Sequence, residues 1–126
     1  MSYQDSSKPT SNSESKSLHS RMALEGTQVV DISNFLAAPM SSMFLADFGA
    51  NVIKVERPLV GDEIRRWGET KNGVGLYYKA VNRGKKSITA DLRTPLGVEI
   101  IKKLIVNADI LIENYRPGTI VKWGLG

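Results

Sequence analysis

Apolar residues in this chain gather into short runs separated by polar turns, and their spacing alternates between strand-like and helical. Residues 28–33 (Gln-Val-Val-Asp-Ile-Ser) are β-branched and follow Gly26, the composition of a strand. Pro39 suits the first position of a helix, where a missing N–H is harmless, and Met40, Met43, Phe44 and residues 46–48 supply an apolar face. Gly49 is a natural C-terminal stop, and residues 52–55 read as a second strand. A second unit repeats the plan. Residues 87–91 read as a strand, Thr94 as an N-cap with Pro95 at the first helical position, and Val98, Ile101, Leu104 and Ile105 recur at helical spacing. Ile110, Leu111 and Ile112 are apolar at consecutive positions, as expected of a strand covered on both faces of a parallel sheet. Between the units, residues 61–75 carry Gly, Asp, Arg and Trp and read as a long loop, followed by a short helix at 76–81. A last helical turn spans 117–123 and stops at Gly124.

Two successive strand–helix–strand units predict an α/β fold, a Rossmann-like open parallel sheet with helices on its faces. Ligands of such sheets bind beyond the carboxyl ends of the strands. Those ends fall here at residues 33–38, 56–57, 90–93 and 113–116, and three of the four carry a cation: Arg57, Arg93 and Arg116.

Composition narrows this picture. At 126 residues and 41% hydrophobic content the chain is the size of one ordinary globular domain. Residues 1–23 are mostly polar, with too little apolar surface to offset the entropy of ordering, and are expected to form a disordered leader ahead of a folded part at 24–126. Lys8, Lys16 and Arg21 among many serines hint at a transit peptide, but Asp5, Glu14 and the lack of an arginine-rich stripe favour a plain tail. A cytoplasmic location is therefore expected, with a mitochondrial one as the alternative. The absence of a long apolar run predicts no membrane partner. Zero cysteines exclude disulfides and a thiolate nucleophile, and His19, the one histidine, lies in the leader without partners that could hold a metal. The net charge of +4 fits an anionic partner, and a phosphorylated small molecule satisfies it as well as nucleic acid does.

Individual side chains leave alternatives open. Arg57, directly after the second strand, can present paired donors to a phosphate or be a solvated loop arginine. Arg93 adds a cation just before a helix N-terminus, or simple surface charge before the Thr94 cap. Asn114, Tyr115 and Arg116 combine polar edges, an aromatic face and a cation suited to an adenine ring and phosphates. Equally, Tyr115 packs on the following helix while Asn114 shapes the turn before Pro117. Lys122, one helical turn further on, could reach the same volume or merely solvate its helix. The basic run at 82–87, with Lys85 and Lys86, has no interleaved aromatics, so it reads as a solvated loop and no nucleic-acid partner is expected. No Gly-x-Gly-x-x-Gly turn follows the first strand, where Asn-Phe-Leu-Ala-Ala-Pro stands at 34–39. A nicotinamide enzyme is therefore not expected, although Glu56 stands where a ribose-binding acid would.

Several stretches match one family in order: Asn-Val-Ile-Lys-Val-Glu-Arg-Pro at 51–58, Asn-Arg-Gly-Lys-Lys-Ser at 82–87 and Ala-Asp-Ile-Leu-Ile-Glu-Asn-Tyr-Arg-Pro-Gly at 108–118. Over residues 24–126 the chain closely resembles the N-terminal part of the class III coenzyme A transferases, the formyl-CoA and carnitine CoA-transferase family. The resemblance implies the CoA-binding part of an enzyme that moves CoA from an acyl-CoA thioester to a carboxylic acid acceptor. It carries CoA contacts onto Leu36, Ala37, Arg57, Ala90, Asp91, Leu92, Arg93, Asn114, Tyr115, Arg116 and Lys122. It implies no prosthetic group, with coenzyme A or acyl-CoA as substrate, and a larger fold whose full-length chains form an interlocked homodimer.

Family members run further, and the aspartate that attacks the thioester to give a mixed anhydride and then an aspartyl-CoA intermediate lies beyond the matched part. None of Asp31, Asp47, Asp62, Asp91 or Asp109 stands in that motif, so no catalytic residue is assigned, and the chain is expected to be a truncated N-terminal fragment, inactive on its own. Leu36 stands where the formyl-CoA enzymes have a glutamine, which argues against a formyl or oxalyl substrate, and Ala38 stands for the usual glycine, its methyl group expected to tighten the approach of a bound thioester chain. The competing expectation is a stand-alone nucleotide- or CoA-binding regulatory module without catalysis.

Overall fold

The computed structural model describes residues 22–126, so nearly all of the expected leader lies outside the described residues. In chain order the elements are β1 (Gln28–Asp31), α1 (Ala37–Asp47), β2 (Asn51–Glu56), a 3-10 turn (Glu63–Arg66), β3 (Thr70–Lys71), β4 (Val74–Gly75), α2 (Leu76–Val81), β5 (Lys86–Thr89), α3 (Pro95–Ile105), β6 (Ile110–Ile112) and α4 (Thr119–Lys122). Four strands form an open sheet in the order β5-β2-β1-β6, every pair parallel. The expected α/β open parallel sheet is therefore present.

Strand alternation assigns the two faces. Val30, Ile32 and Val55 point to the side of α3 and α4, where they pack with Ala90, Leu92 and Ile101 and with Leu104, Ile105 and Trp123. Val29 and Val52 point to the side of α1, against Leu45 and Ala46. The same alternation sends Asp31, Lys54 and Glu56 to the α1 and α2 side, where all three are buried.

Helix ends follow the local chemistry. Gly49 takes φ +100 just past α1 and its N–H donates to the Ala46 carbonyl, closing the helix. Thr94 caps α3 by accepting the Gly97 N–H at 3.1 Å, with Pro95 at its first position. A Cβ on Gly97 would come within 2.0 Å of the Asp91 carbonyl oxygen, so only glycine lets α3 start this close to the turn after β5.

Four expectations are corrected. The first helix begins at Ala37, which makes Pro39 its third residue rather than its first; the proline still falls among the first four N–H positions, which have no partner within the helix. The third strand runs over Lys86–Thr89 instead of 87–91, because Ala90 onward turns to meet α3. Residues 61–75 are not an unstructured loop: they hold the 3-10 turn and a hairpin whose Asn72 and Gly73 have φ 56 and 73, the two left-handed positions of a type I′ turn. Ile110–Ile112 is an edge strand, and its residues are only half-buried.

Candidate functional site

The strand order places a crevice between β1 and β6. From β1 the chain leaves toward α1 and β2 on one side, while β6 arrives after α3 has carried the chain back across the sheet, so connections diverge at these two tips. A cleft of about 250 Å³ opens there over the carboxyl ends of the strands. Val55, Ala90 and Leu92 form its floor, Asn34, Phe35, Tyr115 and Trp123 its wall, and Arg57, Gly61, Glu63, Asp91 and Arg93 its rim.

Each aromatic residue of the wall has a ring partner, which for Phe35 lies outside the cleft lining. Tyr115 meets Trp123 of the last helical turn edge to face, with ring centroids 4.8 Å apart at 78°. Phe35 lies 5.5 Å from Trp67 and takes φ +65, a left-handed conformation rare for a bulky residue. Burial raises the Tyr115 phenol above its ordinary range, so it stays neutral at physiological pH.

The cations differ sharply. Arg93 donates Nε and Nη2 to the two Asp91 oxygens at 2.8 and 2.7 Å, and these bonds hold the Asp91 carboxyl down to about 2. Arg57 is exposed at the rim and has no side-chain hydrogen bond or ion pair among the described residues. It is the cation of the cleft whose guanidinium donors are available.

Behind the cleft, on the α1 and α2 side, lies a chain of buried ion pairs. Lys85 Nζ sits 3.0 Å from Asp31 Oδ2 and Lys54 Nζ 2.9 Å from Asp62 Oδ2, with all four side chains at most 1% exposed. Burial alone would raise the Asp31 carboxyl; Lys54, Lys85 and the hydroxyls of Ser33 and Ser42 outweigh it and hold it low. Glu56 takes a bidentate pair from Arg65 at 2.7 Å for both bonds and a third bond from Tyr78 Oη at 2.7 Å. Burial opposes ionisation there too, yet the donors bring Glu56 down to about 2. The Arg65 guanidinium also lies 3.7 Å from the Tyr78 ring centroid.

The model for "CoA-transferase family III" matches residues 24–126. The chain belongs to this family. It is 48% identical over 104 residues to "Succinyl-CoA--D-citramalate CoA-transferase" of Chloroflexus aurantiacus, a match covering 82% of this chain and 26% of that protein. It is likewise 48% identical to the human "Succinyl-CoA:glutarate CoA-transferase", covering 82% of this chain and 24% of the relative. Among solved structures, a CAIB/BAIF family protein from Brucella suis matches with a TM-score of 0.78 and 43% identity, over 84% of this chain and 29% of that one. The chain thus spans about a quarter of the length of the curated relatives it matches.

The positions that sequence reasoning assigned to CoA in this family III chain divide into three groups. Arg57, Ala90, Asp91, Leu92, Arg93 and Tyr115 line the cleft together. Asn114 does not line it but clamps its edge, accepting the Asn34 N–H at 2.9 Å and donating to the Asn34 carbonyl at 2.8 Å across the β1–β6 crevice. Leu36 and Ala37 are exposed at the start of α1, and Arg116 and Lys122 are exposed on the α4 side, all outside the cleft lining. Of the alternatives for the triplet, the packing one holds for Tyr115, which meets Trp123 beyond α4 while also lining the cleft.

Two readings of charge are overturned. Lys85 is not a solvated loop residue; it is buried against Asp31, Asn82 Oδ1 and the Pro39 carbonyl. Glu56 is not available to a ribose, because its oxygens are taken up by Arg65, Tyr78, Ser87 and the Asp62 N–H. Sequence reasoning also passed over Phe35, Trp67 and Trp123. Their signal was modest: an aromatic at a strand tip and two tryptophans in turn-rich segments. Each of the five aspartates among the described residues is engaged: Asp31, Asp47, Asp62 and Asp91 by a lysine or arginine, and Asp109 by the Gln28 N–H at 2.8 Å.

Proposed function

We propose that this chain provides the coenzyme A site of a CoA-transferase that moves CoA from an acyl-CoA thioester to a carboxylic acid. Family membership supports the reaction class, and the available Arg57 guanidinium at the mouth of an aromatic-walled cleft is the observation that carries the ligand. A phosphate needs paired donors not already committed, and an adenine needs a flat apolar face beside polar edges. The relatives named above are succinyl-CoA enzymes, and we extend that donor class, with a carboxylic acid as acceptor, to this protein. The attacking carboxylate is assigned to none of the described residues, whose five aspartates are all engaged. Association into a homodimer accords with the spacing of Leu36, Met40, Phe44 and Phe48, four exposed apolar residues that recur every fourth position from the N-cap of α1 to its C-cap.

Calorimetric titration with coenzyme A tests the ligand. Arg57→Ala should weaken binding about tenfold or more, the loss of a charge-assisted hydrogen bond of roughly 1.5–3 kcal/mol. Arg93→Ala should weaken it less, because its donors already serve Asp91. A desphospho analogue lacking the 3′-phosphate locates the contact: the Arg57→Ala penalty disappears if that phosphate is the partner and persists if the pyrophosphate is. Wild-type affinity in Arg57→Ala would remove this assignment.

A further inference from the structure

The tip of β1 is held by side chains at nearly every backbone polar group. The Ser33 N–H donates to Asp31 Oδ1 at 2.9 Å, and the Ser33 carbonyl accepts from Lys54 Nζ at 2.8 Å. Asn34 is gripped at both groups by Asn114, and the Phe35 N–H donates to Asp62 Oδ1 at 3.0 Å. Two of these holds come from one buried ion pair, Lys54–Asp62. The same Asp62 oxygen accepts the Ile64 N–H at 3.1 Å and so caps the 3-10 turn that carries Glu63 to the cleft rim. One carboxylate therefore joins Phe35 to the turn that carries Glu63, and both of these residues line the cleft.

The hold on Phe35 matters because its φ of +65 is disfavoured for a residue with a bulky side chain. Such a conformation persists only where the surroundings over-determine it, and observed strain of this kind at a cleft points to a task. An apolar pair in place of Lys54 and Asp62 could stabilise the sheet as well as the ion pair does. It could not accept the Phe35 N–H.

We propose that Asp62, oriented by Lys54, is a positioning residue for the ligand of this cleft: it holds Phe35 in its left-handed conformation and so fixes the aromatic wall against which coenzyme A lies. The ligand in this statement rests on the function proposed above; the positioning rests on the hydrogen bonds themselves.

Two double variants separate positioning from bulk stability. Lys54→Met/Asp62→Val replaces the buried pair by apolar side chains and removes the acceptor. Lys54→Met/Asp62→Asn removes the same charges and keeps an oxygen facing Phe35 and Ile64. Each is measured by thermal unfolding, by amide hydrogen exchange at Phe35 and by titration with coenzyme A. The expected result is a cooperative melt for both, with Phe35 exchange about tenfold faster and CoA affinity about tenfold weaker in the Val variant, which loses the acceptor of both the Phe35 and the Ile64 N–H, and near wild-type values in the Asn variant; about tenfold is the size of one such hydrogen bond.

Equal exchange and equal affinity in the two variants would overturn the proposal. Should the Val variant fail to fold, the wild type still decides: a Phe35 N–H that exchanges as fast as an unbonded amide overturns it. Absence of CoA binding by the wild type would instead overturn the proposed function, and the ligand half of this inference with it, while the exchange data judge the positioning half alone.

Discussion

Replacing Glu56 by glutamine probes how strongly the ion cluster binds β2, the 3-10 turn and α2 into one body. The Glu56 side chain is 3% exposed, and its two oxygens receive Arg65 Nε and Nη2 and Tyr78 Oη at 2.7 Å, the Asp62 N–H at 2.9 Å and Ser87 Oγ at 3.1 Å. Burial would raise this carboxyl, yet the donors lower it from 4.5 to about 2. At about 1.4 kcal/mol per pKa unit this corresponds to roughly 3 kcal/mol, and water around the one-third-exposed Arg65 trims it to about 2–3 kcal/mol. The folded value lies below the unfolded one, so between the two the unfolded chain binds more protons. The contribution is therefore complete above 4.5 and is lost as pH falls toward 2. Glutamine keeps the shape but lacks the charge and turns an amide N–H toward groups that are themselves donors. Urea unfolding followed by circular dichroism should find the variant about 2–3 kcal/mol less stable near neutral pH, with the gap to wild type closing as pH approaches 2. A gap below about 0.5 kcal/mol, or one that stays constant from neutral pH to pH 2, would refute the reasoning.

Lys85→Met should cost about 3–5 kcal/mol, because it leaves the Asp31 carboxylate buried without its partner, whereas Lys86→Met on the exposed edge of β5 should stay within about 0.5 kcal/mol; chemical denaturation of the two compares them directly. Asp31→Asn added to Lys85→Met should recover much of the loss, and a double variant no more stable than Lys85→Met would argue against pairing as the cause. Gly97→Ala should destabilise by about 3 kcal/mol or more as its methyl displaces the Asp91 carbonyl, and the same shift should weaken CoA binding through Asp91 and Arg93, read by melting and titration together.

How much of this was legible depended on whether the deciding contact was local. The Thr94-Pro95 helix start and the Gly49 stop carry their reasons within a few positions, and the structure has both where the pattern put them; a strand does stand at 110–112, but at the sheet's edge and half-buried rather than covered on both faces. The hairpin at 70–75 was legible but missed: Asn72-Gly73 is the strongest short-range hairpin signal there is, masked here by strands of only two residues each. Lys85 was not legible in the same way, since its burial depends on Asp31, which is 54 positions away. A lysine beside another lysine after a glycine looks solvated in any local window.

Lys54 stands between these cases and gives the general reason. Reading 52–55 as an interior strand of a parallel sheet already commits both of its faces to burial, and a lysine within it then requires a buried anion, since an unpaired interior charge is prohibitive. Alternation puts Lys54 on the face of Asp31 and Glu56 and away from that of Val55, so the partner had to come from that side. What alternation cannot supply is which carboxylate answers, because Asp62 reaches Lys54 only after the chain has turned back through Gly61, at φ +69. The site follows the same logic. The strand tips were found from topology alone, and they carry the cleft; the difference between Arg57, whose guanidinium has no side-chain hydrogen bond or ion pair among the described residues, and Arg93, closed on Asp91, required knowing which neighbours compete for each guanidinium. Charge at a strand tip indicates where an anion can bind, and the hydrogen bonds already made decide which cation is available to bind it.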